Sequence, residues 1–257
     1  MKPDDAPWTL HREDFDLGRV VAAKGDTRVA VVIPARDEAS TIGGVLDAVQ
    51  LVAGLVDELV VVNDRSVDDT AVVAAHHGAK VIDHHGDGGK GAAMDTGRRA
   101  TSSDVIVYLD ADVTNTSPEF VPRLLQPLFE RPDVVLVKGY YRRPLHDMPT
   151  GGGRVNELAA RPILSLLYPG LGEIRQPLAG ETALRRHALE SISFEPAYAV
   201  EMALLIDVAR LHGVRSLAQV DLGIRRHRNR PLEELRPMAG DVLRAALARR
   251  GIELPER

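Results

Sequence analysis

The residues best able to do chemistry are carboxylates at the ends of apolar runs. Asp110-Ala111-Asp112 follows Val-Ile-Val-Tyr-Leu directly, and two carboxylates one residue apart can serve one hard cation and its waters. Mg²⁺ typically takes one or two carboxylates together with substrate phosphate oxygens. Asp37-Glu38 follows a second apolar run, Val29 to Ile33, and Asp64 follows a third, Glu58 to Val62. Each alone has a plain explanation, since loops after strands are polar and Asp caps helices. Together they point to one rim built for a cation or a polar ligand.

Other segments carry the opposite charge or none. Asp87-Gly88-Gly89-Lys90-Gly91 is a glycine-rich turn whose backbone N–H groups and Lys90 could meet a phosphate, although a surface turn accounts for it equally well. It is not a P-loop, because no Ser or Thr follows the lysine. Thr150-Gly151-Gly152-Gly153-Arg154 sets three glycines and an arginine before a helix. There the backbone can approach a ligand closely, and Arg154 can hold a phosphate or carboxylate through two parallel hydrogen bonds. Arg225 to Arg230 packs four arginines around His227 and Asn229, either a solvated basic loop or a fixed anion site with a metal-ligating histidine. Glu201 opens an apolar helix, as a capping group or a site carboxylate. His76-His77 and His84-His85 read as surface pairs. No Gly-x-Ser-x-Gly elbow or nucleophilic triad signature is present.

The elements that must position these groups alternate. Apolar runs at 29–33, 58–62, 80–82, 104–109 and 134–138 read as strands, most of them continuous as in a sheet covered on both faces. Helical patterns fall between them, at about 41–53 after Ser40, about 67–77 with Ser66 and Asp69 spaced as a capping box, up to about 101, and from Ser117-Pro118. This βαβ rhythm predicts a mainly parallel, Rossmann-like central sheet flanked by helices, with ligands at the carboxyl ends of the strands. The second half is less regular. It predicts helices over about 155–167, 199–211 and 232–249 and strands near 178–184 and 215–221. The segment Pro144 to Thr150 reads as a functional loop. That segment is the natural seam of the chain, between residues 1–143 and 144–257 of one domain.

Composition limits the alternatives. With 257 residues, 44% hydrophobic and 27% charged, the chain is long enough for one large α/β core. It has no cysteine, so disulfides, zinc knuckles and thiol nucleophiles are excluded. The net charge of −5 argues against general nucleic-acid binding. No apolar run reaches a membrane-spanning length, and residues 1–27 are charged where a signal peptide needs an apolar core, so a cytoplasmic protein is expected. Residues 1–125 carry 12 Lys and Arg against 21 Asp and Glu, whereas residues 126–257 carry 20 against 16. Solvated helix faces would explain that asymmetry, as would an acidic half that holds a cation beside a basic half that holds an anion.

Several blocks occur here in a familiar order. Pro34 to Glu38, Val61 to Thr70 and Asp110 to Asp112 resemble the family 2-like GT-A glycosyltransferases. Lys138 to Pro144, Gly151 to Arg154 with Val155 and Glu157-Leu158, Gln176 to Glu181, and Leu222 to Pro231 resemble the glucosyl-3-phosphoglycerate synthases, retaining GT-A enzymes of family 81. The resemblance implies a GT-A fold and transfer of glucose from UDP-glucose to 3-phosphoglycerate, with Mg²⁺ or Mn²⁺, by a homodimer. It implies that Ala35, Arg36, Asp37, Glu38, Asp64 and Lys90 line the nucleotide pocket, and that Asp110, Ala111 and Asp112 meet ribose and diphosphate. Asp112 and His227 would be the metal ligands. Gly153, Arg154, Asn156, Arg225 and Asn229 would bind the acceptor, with Glu201 and the backbone carbonyl of Leu178 beside the reacting sugar. The chain departs from that pattern at Asp37, at Asn63-Asp64-Arg65 where Asp-Ser-Gly is usual, at Asn156 where Thr is common, and in a shorter 144–150 segment. Another donor or acceptor on the same fold (GDP-mannose, glycerate), a nucleotidyltransferase and a non-catalytic nucleotide-sugar sensor are the alternatives. The sequence Ala-Arg-Asp-Glu after the first strand is not the basic triphosphate loop a nucleotidyltransferase needs.

Overall fold

The computed structural model describes residues 6–145, 148–151, 153–195, 197–226 and 231–255. In chain order the elements are β1 (Trp8–Leu10), α1 (Leu17–Lys24), β2 (Val29–Ala35), α2 (Ile42–Gln50), β3 (Glu58–Asn63), α3 (Thr70–His76), β4 (Lys80–Asp83), α4 (Lys90–Arg99), β5 (Val105–Tyr108) and α5 (Phe120–Glu130). There follow β6 (Leu136–Arg142), a hairpin of β7 (Pro144–Leu145) and β8 (Met148–Gly151), α6 (Arg161–Leu167), β9 (Thr182–Arg185), α7 (Val200–His212), β10 (Leu217–Ile224) and α8 (Leu232–Ala248).

Eight strands form one sheet in the order β1-β10-β6-β9-β5-β2-β3-β4. Every pair is parallel except those of β9, which runs antiparallel between β5 and β6. β2, β3 and β5 supply the β-branched, doubly buried runs expected of central strands. Val31 and Ile33 face one apolar layer while Val32 faces the other, and Val61 opposes Val60 and Val62 in the same way. The sheet is therefore covered on both faces, and polar groups can gather only at its ends.

β9 decides what those ends hold. Thr182 pairs with Tyr108 on one side and Lys138 on the other, so the start of β9 lies at the rim where the parallel strands finish. The lead-in 176–181 thus meets the chain leaving β2, β3, β5, β6 and β10 at a single rim. β2 also separates β3 from β5, the kind of reversal in strand order where α/β sheets bind ligands.

Several boundaries differ from expectation. The sequence does not mark β1, a three-residue edge strand beside β10. In place of the expected loop, Pro144–Leu145 and Met148–Gly151 pair as antiparallel strands. β6 runs from Leu136 to Arg142 instead of 134–138, because pairing with β10 carries it to the rim. The 178–184 run yields only β9, and its first residues form the rim loop. α3 starts at Thr70 without a capping box: Ser66 Oγ accepts the Asp37 N–H at 3.0 Å, and the Thr70 N–H goes to Asp68 at 3.0 Å. α2 likewise begins at Ile42, with the Thr41 and Ile42 N–H groups on the Glu38 carbonyl.

Candidate active site

The rim encloses a cleft of about 330 Å³. Of the residues singled out from sequence, Ala35, Arg36, Glu38, Asp64, Lys90, Asp110, Ala111, Asp112, Gly153, Arg154, Asn156, Leu178, Glu201 and Arg225 line it. Asp37 does not. It sits at φ 56° and its carboxylate accepts the Val67 N–H at 2.8 Å, which ties the 35–38 turn to the 64–69 turn. His227 and Asn229 lie outside the described residues.

The wall built from the 35–38, 64–69 and 87–90 turns is held by backbone and glycine geometry. The Asp64 N–H reaches the Ala35 carbonyl at 2.8 Å, continuing the β2–β3 ladder one step. The Asp64 side chain is buried, and its Oδ2 accepts the Gly89 N–H at 2.8 Å. Arg65 folds across Gly88 with Nε 3.4 Å from Asp64 Oδ1; a Cβ at Gly88 would stand 1.7 Å from the guanidinium. The glycine turn therefore packs the wall, and its Gly89 N–H is spent on Asp64.

A charge network fills the floor. Lys90 Nζ lies 2.5 Å from Asp110 Oδ1 and 2.6 Å from Glu201 Oε1. Burial opposes the ammonium charge, but Asp110 and Glu201 reverse that and hold Lys90 protonated well above its ordinary range. Burial likewise opposes the Asp110 charge, and Lys90 and Arg225 override it, holding the carboxyl well below the usual range. Arg225 Nη2 donates to Asp110 Oδ2 at 2.6 Å and to Asp112 Oδ1 at 2.9 Å. The two carboxylates of Asp-x-Asp thus differ. Asp110 is enclosed between two cations, while Asp112 keeps 32% of its side chain exposed in the cleft. Gly180 makes room for this: a Cβ there would stand 2.0 to 2.4 Å from the Asp110 carboxyl group.

The lining after β8 carries Gly153 at φ 74°, Arg154, and Arg143, which packs against Gly153. Residues 156–160 form a π-helical turn before α6, a local widening frequent at functional sites. Asn156 is buried, and its amide donates to Glu157 Oε1 at 2.9 Å and the Arg175 carbonyl at 3.2 Å, while its Oδ1 receives the Leu178 N–H at 3.5 Å. Lys138 Nζ donates to the Ala179 carbonyl at 2.5 Å and to Thr182 Oγ1 at 2.9 Å. The strap carrying Leu178 is pinned on both sides.

Comparison with known proteins adds the decisive observation. Residues 30–151 match the family model for glycosyl transferase family 2. Glucosyl-3-phosphoglycerate synthase of Mycobacterium tuberculosis (strain CDC 1551 / Oshkosh) is 44% identical, over 97% of this chain and 81% of the relative. The enzyme of that name from Petrotoga mobilis is 39% identical, over 97% and 82%. The crystal structure of the M. tuberculosis synthase with Mn²⁺, UDP-glucose and phosphoglyceric acid superposes with a TM-score of 0.89 at 43% identity, covering 97% of this chain and 89% of that one. The chain belongs to the glucosyl-3-phosphoglycerate synthase family. Its fold is accordingly of the GT-A type.

The donor set suits the cation expected of this family. Asp112 offers a hard, half-buried oxygen ligand on the cleft wall, and a phosphate-bearing ligand would complete a shell that Mg²⁺ or Mn²⁺ accepts. Among the described residues no group of three or more His, Asp or Glu forms a closed metal cage. The surface reading of the histidine pairs fits: His77 bonds Asp47 at 2.7 Å, and His84 bonds Thr96 at 2.8 Å.

Sequence reasoning named no role for Lys138, Tyr141, Arg143 or Glu181. Their signal was a cation inside an apolar strand and a Glu at its neighbour's start. Lys138 is 2% exposed, and burial pushes its ammonium down to about 8. The unfolded chain holds that proton up to roughly pH 10.4, so from about pH 8 upward this group makes folding more favourable as pH rises. Urea denaturation should show the stability of the native protein rising relative to Lys138→Met between about pH 7.5 and 9.5. Parallel pH profiles for the two would exclude a depressed, buried Lys138.

Proposed function

We propose that the chain transfers glucose from UDP-glucose to 3-phosphoglycerate with retention at the anomeric carbon, assisted by Mg²⁺ or Mn²⁺. The observation that carries the reading is one cleft with two unlike walls. Asp64, Asp110 and Asp112 line it together with Gly153 and Arg154. Structures of the M. tuberculosis relative hold Mn²⁺ with UDP-glucose and phosphoglyceric acid, and Mn²⁺ with UDP and glucosyl-3-phosphoglycerate. Residues 1–143 serve as the donor half and 144–257 as the acceptor half.

Each wall has its task. Ala35, Arg36, Glu38 and Asp64 enclose the nucleotide, with Asp37 behind them bracing the turn. Asp110 and Ala111 face ribose and diphosphate, and Asp112, with His227, holds the cation. The bound cation supplies Lewis-acid neutralisation of the diphosphate as it departs. Glu201, fixed by Lys90, and the carbonyl of Leu178, a residue whose N–H is held by Asn156, place negative charge beside the sugar as its anomeric carbon turns cationic. Gly153 and Arg154, with Asn229, grip the acceptor phosphate. Asn156 and Arg225 already bond protein groups and act by positioning. Glu201 is committed to a salt bridge and is not a free nucleophile, which supports front-face transfer in which the leaving phosphate oxygen takes the acceptor hydroxyl proton. Orientation of two bound substrates then supplies much of the rate.

Both substrates are charged phosphorylated solutes, which favours a cytoplasmic enzyme, and no described helix is long and apolar enough to cross a membrane. We assign a homodimer on the family resemblance. A panel of UDP-glucose and GDP-mannose against 3-phosphoglycerate, glycerate and glycerol 3-phosphate tests the assignment through relative kcat/KM. UDP-glucose with 3-phosphoglycerate should rank first; a higher value for GDP-mannose or for unphosphorylated glycerate would overturn it.

A further inference from the structure

Two buried residues beside the cleft, Tyr141 and Glu181, have no part in the transfer described above, yet both hold Arg225. The Arg225 side chain is 4% exposed, and each guanidinium nitrogen faces a protein group. Nη1 donates to the Tyr141 hydroxyl at 2.9 Å, Nη2 is shared by Asp110 and Asp112, and Nε lies 3.3 Å from Glu181 Oε1. The guanidinium also stands 5.3 Å from the centre of the Tyr141 ring. Glu181 is 1% exposed, and among the described residues neither carboxylate oxygen makes a hydrogen bond. Burial drives its carboxyl above the ordinary range despite Arg225. A carboxylate sunk this deep is costly to the fold unless its partner needs it.

Three elements build this cradle: β6 gives Tyr141, the lead-in to β9 gives Glu181, and β10 leads into Arg225. The cradle grips the guanidinium from behind and leaves its Nη2 edge to the carboxylates. Asp110 and Asp112 carry like charges and would splay apart without that shared donor. We propose that Tyr141 and Glu181 are positioning residues that aim Arg225, and through it set the Asp112 carboxylate for a divalent cation carrying the nucleotide diphosphate. The inference rests on the metal-dependent reading above, and it places Arg225 on the donor side of the reaction.

The two residues can be separated by charge. Tyr141→Phe removes one hydroxyl and no charge, so it only loosens the guanidinium. Glu181→Gln also removes a negative charge, which strengthens the pull of Arg225 on Asp112 and lowers the negative potential where the cation sits. Both changes weaken cation binding.

Mn²⁺ affinity of the UDP-saturated protein, measured by electron paramagnetic resonance, is the readout. Each variant should bind Mn²⁺ about 10- to 100-fold more weakly, the usual effect of removing a group that orients a metal ligand. The KM for 3-phosphoglycerate at saturating Mn²⁺ should stay within about two-fold, and in an Arg225→Lys background neither change should add to the loss. Unchanged Mn²⁺ affinity, additive effects in that background, or no Mn²⁺ binding by the native protein would overturn the inference. Should Glu181→Gln fail to fold, Tyr141→Phe decides alone. A native protein that binds Mn²⁺·UDP but transfers no glucose would sink the proposed reaction and leave the cradle standing.

Discussion

Lys90→Met should strip the protein of turnover and of a large part of its stability at once. The ammonium contacts both Asp110 and Glu201, at 2.5 and 2.6 Å, and both side chains are largely enclosed. Methionine keeps the volume and deletes the charge, leaving Glu201 without its cation and Asp110 with Arg225 alone. Breaking a buried pair from one side typically costs about 3–5 kcal/mol, far more than the pair itself contributes. In a chain of this size that is a fall in Tm of about 10 °C. The pH dependence has a definite sign. In the native protein the depressed Asp110 carboxyl contributes stability above its unfolded value, and that contribution fades only as pH falls through its lower folded value. In the variant Asp110 keeps only Arg225 of its two cations and takes up a proton more readily, so acid relieves it and the stability gap narrows as pH drops from neutrality. Calorimetry across that range checks both points. A Tm within about two degrees of the native value, or a gap that widens in acid, would show that the network is not held by Lys90.

Asp112→Asn should leave the fold intact and remove metal-dependent transfer, with kcat/KM falling about 10³-fold or more. The side chain is a third exposed, and Asn retains an oxygen for the Arg225 donor, so no buried charge is stranded. What disappears is the negative charge on the oxygen offered to the cation. Asp110→Asn is a different experiment, because Asp110 is enclosed by Lys90 and Arg225 and its loss unbalances the floor. The asymmetry between these neighbours is a property of the folded rim. Retention of Mn²⁺-dependent turnover within about ten-fold in Asp112→Asn would move the cation site elsewhere.

Much of this arrangement is legible in the chain because strands covered on both faces leave continuous apolar runs. The runs ending at Ile33, Val62 and Leu109 locate the rim, and of the acidic groups that follow them Glu38, Asp64, Asp110 and Asp112 meet there, whereas Asp37 braces a turn instead. What local reading missed came from long-range pairing. β9 is short and antiparallel, and only its insertion between β5 and β6 brings Leu178, Gly180 and Glu181 to the carboxylates. Tyr141 is an unremarkable letter in a strand until β10 delivers Arg225 beside it. The Asp-x-Asp triplet reads as two equivalent ligands, whereas Lys90 and Arg225, 20 and 115 residues away, make Asp110 a structural anion and leave Asp112 to the cleft. Ser66 and Asp69 have capping-box spacing, yet Ser66 serves Asp37 because the two turns pack together.

The most direct test of the whole account is the reaction itself, followed by ¹H NMR on purified protein with UDP-glucose, 3-phosphoglycerate and Mn²⁺. UDP should appear in step with a glucosylated phosphoglycerate whose anomeric proton keeps the α configuration of the donor, and both signals should vanish when acceptor or metal is withheld. Release of UDP without acceptor, or a product with inverted configuration, would contradict it.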